Sequence, residues 1–179
     1  MKGRIRKEII AKRKNLSKLE YESNNKIIVE KIYNYLKSKN FKTIAIYYPY
    51  RKEVNVLNLM ELFKDKIFLF PKVISDEKMI FIPVNDINKL KKGKFGIMEP
   101  EGTEYTEDID IYIVPGVAFD LDLYRLGYGG GFFDRYFSVH KKTQLIGVGF
   151  DFQILEKLPV DDHDIQMNLV ITEKRILGG

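Results

Sequence analysis

Apolar and polar positions recur along this chain with two different periods, and the change from one to the other marks out its elements. In residues 2–14, at about 100° per residue, Ile5 and Ile9 begin an apolar stripe that Leu16 extends, and Lys2, Arg6 and Arg13 group beside it. That spacing predicts a helix that docks by its stripe and aims basic side chains into a cleft along the same edge. Ser17-Lys-Leu-Glu20 is a capping box, and Ile28, Ile32, Tyr35 and Leu36 then recur at i, i+4, i+7 and i+8, carrying a second helix to about Lys39. Beyond it the period shortens. Residues 43–48, 67–70, 79–83, 111–114, 144–150 and 168–172 read as strands. Val56, Leu59, Met60 and Phe63 mark a helix that Asn55 can cap, and residues 132–137 another. Strands alternating with helices predict an α/β fold: a three-layer α/β/α domain with a mostly parallel central sheet and a helical N-terminus. Residues 87–110 lack a period and read as a long loop or small hairpin over the sheet. No linker, repeat or low-complexity tract interrupts the chain, so residues 1–179 read as one domain.

Composition narrows the chemistry. The 179 residues, 45% hydrophobic, suffice for one sizeable core. There is no cysteine, which excludes disulfides and zinc–thiolate sites and suits a reducing cytoplasm. No apolar run approaches the roughly 20 residues of a membrane span, and the basic N-terminus has no apolar stretch behind it, so neither a membrane partner nor a signal peptide is expected. A net charge of +5 favours an anionic partner. The excess sits mainly in Lys2, Arg4, Arg6, Lys7, Lys12, Arg13 and Lys14, with a second group at Lys89, Lys91, Lys92 and Lys94. Basic runs are more often solvated faces than sites; the apolar stripe beside the first run is what directs it toward a cleft.

The densest candidate chemistry is Arg125-Leu-Gly-Tyr-Gly-Gly-Gly-Phe-Phe-Asp134. Gly127, Gly129, Gly130 and Gly131 stand between a strand and a helix, where a freed backbone can bring several N–H groups to an anion. Arg125 can pair with phosphate oxygens, and Asp134 can hold a divalent cation. The pattern is not a P-loop, since no Lys-Ser or Lys-Thr follows the glycines, and not the dinucleotide fingerprint, whose third glycine would fall on Phe132. An isolated triple glycine is as often a flexible turn; its charged neighbours argue otherwise. Polar segments also follow other predicted strands: Pro49-Tyr-Arg-Lys-Glu53, Pro115-Gly-Val-Ala-Phe-Asp120, and Asp151, Gln153 and Asp161-Asp-His-Asp164. On residue type alone, Glu53 reads as a surface ion pair, His163 as an exposed turn residue and His140 as a helix cap or surface residue. Nothing points to a covalent nucleophile.

Val114-Pro-Gly-Val-Ala-Phe-Asp120 followed by residues 125–135 closely resembles the signature of the 5-formyltetrahydrofolate cyclo-ligase family. Lys2 to Arg6, Lys12-Arg13, Tyr48-Pro-x-x-x-Glu53, Phe95-Gly-Ile-x-Glu-Pro100 and Gln153 through His163-Asp164 extend the resemblance over the whole chain. It implies a cytoplasmic, monomeric enzyme that uses ATP and Mg²⁺ to convert 5-formyltetrahydrofolate into 5,10-methenyltetrahydrofolate. The formyl oxygen is phosphorylated and the folate's own N10 attacks, so no protein nucleophile is needed. By the same resemblance Lys2, Gly3, Arg4, Ile5, Arg6 and the run Arg125, Leu126, Gly127, Tyr128, Gly129, Gly130, Gly131, Phe132, Phe133, Asp134 bind ATP. Arg125 and Asp134 act in catalysis, and Tyr48 and Glu53 bind the folate. Three positions depart from the family pattern. Phe133 replaces a tyrosine, Leu123 a glycine, and Asn168 the aspartate expected to join Asp134 on the metal. Two alternatives remain: a sugar-phosphate isomerase on a similar sheet, which Arg125 and Asp134 disfavour, and a basic RNA-binding module, which would give Asp134 no role.

Overall fold

The computed structural model describes residues 1–179. Its helices are α1 (Lys2–Lys14), α2 (Lys18–Leu36), α3 (Leu59–Leu62) and α4 (Phe132–Val139). The strands before the glycine-rich segment are β1 (Thr43–Ala45), β2 (Ile67–Val73), β3 (Met79–Pro83), β4 (Lys91–Lys92), β5 (Met98–Glu99), β6 (Ile111–Pro115), β7 (Ala118–Asp120) and β8 (Arg125–Leu126). After it come β9 (Gln144–Val148), β10 (Ile154–Leu155), β11 (Leu169–Ile171) and β12 (Ile176–Gly178).

The main sheet has the order β12-β11-β9-β6-β1-β2-β3. The inner strands β11, β9, β6, β1 and β2 run parallel, and each edge is closed by an antiparallel strand. A pleated strand sends successive side chains to opposite faces, and the two cores follow that rule. Ile44 and Ile46, Ile111 and Ile113, Ile146 and Val148, Leu169 and Ile171 join one core with Ile28, Ile32 and Leu36 of α2. Ala45, Tyr112, Val114, Leu145 and Val170 join the other with Tyr136 and Phe137 of α4. The three layers are therefore α2 and α3, the sheet, and α4.

The capping box of α2 forms in full, Ser17 Oγ accepting from the Glu20 N–H and the Glu20 carboxylate from the Ser17 N–H, each at 3.1 Å. The reading of residues 56–63 is corrected. Asn55 Oδ1 accepts from the Leu57 N–H in a local turn, so the helix is delayed to the single turn of α3. Residues 91–99 form the small hairpin β4–β5. A second small sheet, β10-β7-β8, went unforeseen because its strands are two or three residues long. It supplies the platform for α1, whose Ile5 and Ile9 pack on Val117, Ala118, Leu126 and Leu158. Helix α1 has basic residues at both ends and no acidic residue in its first turn. Lys2, Arg4 and Arg6 thus oppose the helix dipole, and packing and distant carboxylates must hold the helix instead.

Candidate active site

From β1 the chain moves outward to β2 and β3, then returns to β6 and continues to β9 and β11 on the other side. The loops leaving β1 and β6 therefore diverge, and in such sheets the crevice between them is where ligands bind. A cavity of about 620 Å³ lies there. Tyr47, Tyr48, Tyr50, Arg51 and Glu53 line one side of it, following β1, and Pro115 and Arg125 the base. The glycine loop 127–131 and the first turn of α4 form the other side, with Lys2 and Arg6 of α1. The hairpin residues Phe95 and Met98 and the acidic turn Asp161, His163 and Asp164 complete the rim. A broader groove on the α2 side mixes charges of both signs, Glu22, Lys26, Glu30 and Lys64 among them, without a glycine loop or convergent polar groups.

At the glycine end, Gly129 and Gly131 have φ of 108° and 71°, conformations open to glycine without penalty. Gly131 is the N-cap of α4, and no side chain caps that helix, so its first N–H groups face the cavity as anion donors. The Arg6 Nε donates to the Gly127 carbonyl at 2.8 Å. Arg125 lies back across the same glycine: a Cβ on Gly127 would stand 2.9 Å from its Nη1. Its Nε donates to the Pro115 carbonyl, and its guanidinium stacks 4.7 Å from the centre of the Phe133 ring. Burial lowers its pKa, opposed by the charges of Asp134 and Glu53, and an arginine there stays cationic.

Asp134 is half-buried in the first turn of α4. Burial raises its pKa; Arg125 opposes this and the charge of Asp164 adds to it. Asp164 in turn accepts from Lys2 Nζ at 3.2 Å, and Asp161 does so at 2.7 Å. Asp161, His163 and Asp164 bring their ligand atoms within 4.8 Å of one another. A half-buried carboxylate beside another of the same sign, both at a cavity wall, is a setting that a hard divalent cation would relieve.

At the other end the backbone turns sharply through Arg51 (φ 49°) and Lys52 (φ 57°). Three side-chain bonds from outside the turn or across it hold that shape. Arg13 Nε donates to the Arg51 carbonyl at 2.9 Å, and Lys52 Nζ donates to the carbonyls of Lys14 (3.1 Å) and Leu16 (2.5 Å). The turn delivers Glu53 inward, 5% exposed, its Oε1 accepting from the Tyr50 N–H at 2.8 Å. Burial raises the Glu53 pKa to about 7, against Arg13, the Tyr50 N–H, Arg125 and Tyr128. Burial likewise pushes the Tyr128 hydroxyl up to about 12, so it stays protonated and can donate.

Lys2, Arg6, Tyr48, Glu53, Arg125 and Asp134, with residues 126–133, are thus brought to one cavity. Several expectations need correction. Glu53 is no surface ion pair, because the tethered turn folds it inward. Arg4 projects outward, 84% exposed, onto Glu8, while Ile5 is spent on packing; neither these nor Gly3 lines the cavity. Asn168 lies outside the cavity, before the start of β11 and so at the opposite end of the sheet; its Oδ1 accepts from the Leu145 N–H at 2.7 Å. The carboxylates that accompany Asp134 are Asp161 and Asp164 instead. Asp120 and Asp151 are structural. The first accepts from the N–H groups of Asp122, Tyr124 and Leu158; the second holds Thr172 and Arg175. His163 is exposed in its turn and His140 caps α4, as expected.

These arrangements have relatives. A sequence profile described as the 5-formyltetrahydrofolate cyclo-ligase family matches residues 1–173. A 5-formyltetrahydrofolate cyclo-ligase of Mycoplasma pneumoniae is 33% identical over 178 residues, covering 97% of this chain and 99% of the relative. That of Escherichia coli is 31% identical over 144 residues, covering 75% and 79%. Among solved structures, the 5,10-methenyltetrahydrofolate synthetase of Aquifex aeolicus superposes with a TM-score of 0.87 at 38% identity, covering 99% of this chain and 92% of that one. The synthetase of Mycoplasma pneumoniae does so with a TM-score of 0.78 at 31% identity, covering 96% and 98%. With the profile spanning nearly every residue and the folds superposing from end to end, the chain belongs to the 5-formyltetrahydrofolate cyclo-ligase family.

Proposed function

We propose that this chain converts 5-formyltetrahydrofolate into 5,10-methenyltetrahydrofolate, with ATP cleaved to ADP and phosphate. The observation that carries the reading is one cavity with two chemically unlike ends. A glycine loop flanked by Lys2, Arg6 and Arg125 suits a polyphosphate; a buried carboxylate on Glu53 suits the paired N–H donors of a pterin edge. Membership of the family and the names of its relatives point the same way.

Phosphoryl transfer asks for positioning and charge neutralisation rather than a protein nucleophile. The loop N–H groups and the first turn of α4 orient the phosphates, Arg6 and Arg125 neutralise them, and Glu53 with Tyr48 orients the folate. The formyl oxygen of the folate takes the terminal phosphoryl group, its N10 then attacks the activated carbon, and phosphate departs as the ring closes. Asp134, with Asp164 and Asp161 beside it, would hold Mg²⁺, which supplies neutralisation of phosphate charge. Lys2, which pairs with Asp161 and Asp164, would add its positive charge at the same wall. No helix of the chain is long and apolar enough to cross a membrane. We read the protein as cytoplasmic, in keeping with its lack of cysteine, and as monomeric, following the family resemblance.

The RNA-binding alternative loses support at its second basic cluster, where Lys91 pairs with Glu101 and Lys94 with Asp76. The deciding experiment mixes the folded protein with 5-formyltetrahydrofolate and Mg-ATP and follows the methenyl chromophore. ATP-dependent formation is expected; a folded protein giving none would remove the reading.

A further inference from the structure

Arg13 is the largest fully buried side chain of the molecule, at 0% exposure, and it does not line the cavity. A guanidinium in such a place ordinarily faces a carboxylate in a fork-to-fork pair. Here no carboxylate lies within ion-pair distance. The Nε is used on the Arg51 carbonyl, the Nη2 on the Tyr128 hydroxyl, and the Nη1 has no partner at all. The Nε and Nη2 thus reach toward both ends of the site, the strained turn before Glu53 and the tyrosine of the glycine loop. We propose that Arg13 is a positioning residue for the family reaction: it touches neither substrate, but fixes Tyr128 and the turn before Glu53 and brings a buried positive charge to the carboxylate that receives the pterin edge. The inference deepens the folate reading given above and rests on it.

The charges around Glu53 make Arg13 the one that matters. From α1 comes Arg13, from α2 the Tyr21 hydroxyl, which donates to the Glu53 carbonyl rather than to its carboxylate. From the segment after β1 come Tyr47, whose hydroxyl is committed to the Val54 carbonyl, and the Tyr50 N–H. From β8 comes Arg125, committed to the Pro115 carbonyl and facing Asp134 as well as Glu53, and from the glycine loop Tyr128. Arg51 lays its guanidinium over the rings of Tyr50 and Tyr128. Burial holds the Glu53 pKa near 7, and the foremost influence opposing that rise is Arg13. Without the cation, the carboxyl would be largely protonated at neutral pH and would offer one acceptor and one donor where the pterin edge presents two donors.

The test is a pH profile. Binding of 5-formyltetrahydrofolate to the full chain without ATP is measured by calorimetry between pH 6 and 9, and the Glu53 carboxyl is titrated by ¹³C NMR, its resonance assigned with Glu53→Gln. For the unaltered protein, affinity and carboxyl titration share a midpoint near pH 7, with tighter binding on the alkaline side. Arg13→Gln is expected to move both midpoints alkaline by at least about one unit, weakening binding at pH 7 about fivefold or more and restoring it at pH 9. An Arg13 that is merely structural would lower the melting temperature and leave both midpoints in place, and that result overturns the proposal. Should Arg13→Gln not fold, Arg13→Met, which removes the charge while filling the buried space, decides the matter; an unmoved midpoint in that folded variant overturns the proposal equally. If the folate does not bind the unaltered protein, the functional reading falls, while the NMR titration still decides what Arg13 does to Glu53.

Discussion

At the glycine end of the cavity, Gly129 and Gly131 take φ of 108° and 71° with no side chain to resist. At the Glu53 end, Arg51 and Lys52 take 49° and 57° with full side chains, a conformation that is unfavourable by about 1–2 kcal/mol per residue. The first end is shaped by what its own residues lack. The second is shaped by bonds that reach it from the end of α1, through Arg13, and back to that helix, through Lys52. An anion cradle needs only exposed N–H groups, so permissive local sequence suffices. A buried carboxylate needs one orientation held against solvent, and that calls for support from elsewhere in the fold.

The largest expected effect falls at the glycine end. Asp134→Ala should lower ATP-dependent turnover by at least about 100-fold while the melting temperature stays within a few degrees, measured by methenyl formation and calorimetry. Full activity in that variant would break the assignment of Asp134 and, with it, the contrast between the ends. At the other end the expected effect is on stability. The Glu53 pKa is raised on folding, from 4.5 to about 7, so its contribution is present below pH 4.5 and is lost as pH rises through 7. Glu53→Gln should therefore gain up to about 3 kcal/mol relative to the unaltered protein between pH 4.5 and 7.5, read from urea unfolding across that range. A pH-independent difference would mean that Glu53 is not desolvated as its burial indicates. A smaller effect separates the two ends kinetically. Arg6→Ala should raise the KM for ATP about tenfold, with the KM for the folate little changed; equal changes in both would erase the division of the cavity.

What the sequence disclosed follows the same division. The parallel sheet, α2 with its capping box, and the glycine loop between Arg125 and Asp134 were legible because each rests on residues adjacent in the chain or at one helical period. The inward turn of Glu53 was not, because Glu53 looks like any charged loop residue until Arg13 and Lys52 are seen to tether its turn. Arg13 had left a trace: its grouping with Lys2 and Arg6 beside the apolar stripe placed it on the cleft side of α1. Asn168 misled for a related reason. Resemblance carried a metal role to its position, but the start of a parallel strand faces away from a site built at the strand ends, and its amide is occupied by the Leu145 N–H. Asp164 was the better candidate, 8% exposed at its side chain despite lying in a stretch of three aspartates that reads as solvated.

The bond from Arg6 to Gly127 spans 121 residues of chain, and that from Lys2 to Asp161 spans 159. During synthesis the first helix leaves the ribosome long before the partners of Lys2 and Arg6 exist, and it carries too little acidic compensation to be stable alone. Its basic edge must wait, solvated, until the strands that form its platform and the acidic turn near the end have been made. Binding competence therefore arrives late and together, a feature of long-range closure rather than of any one motif.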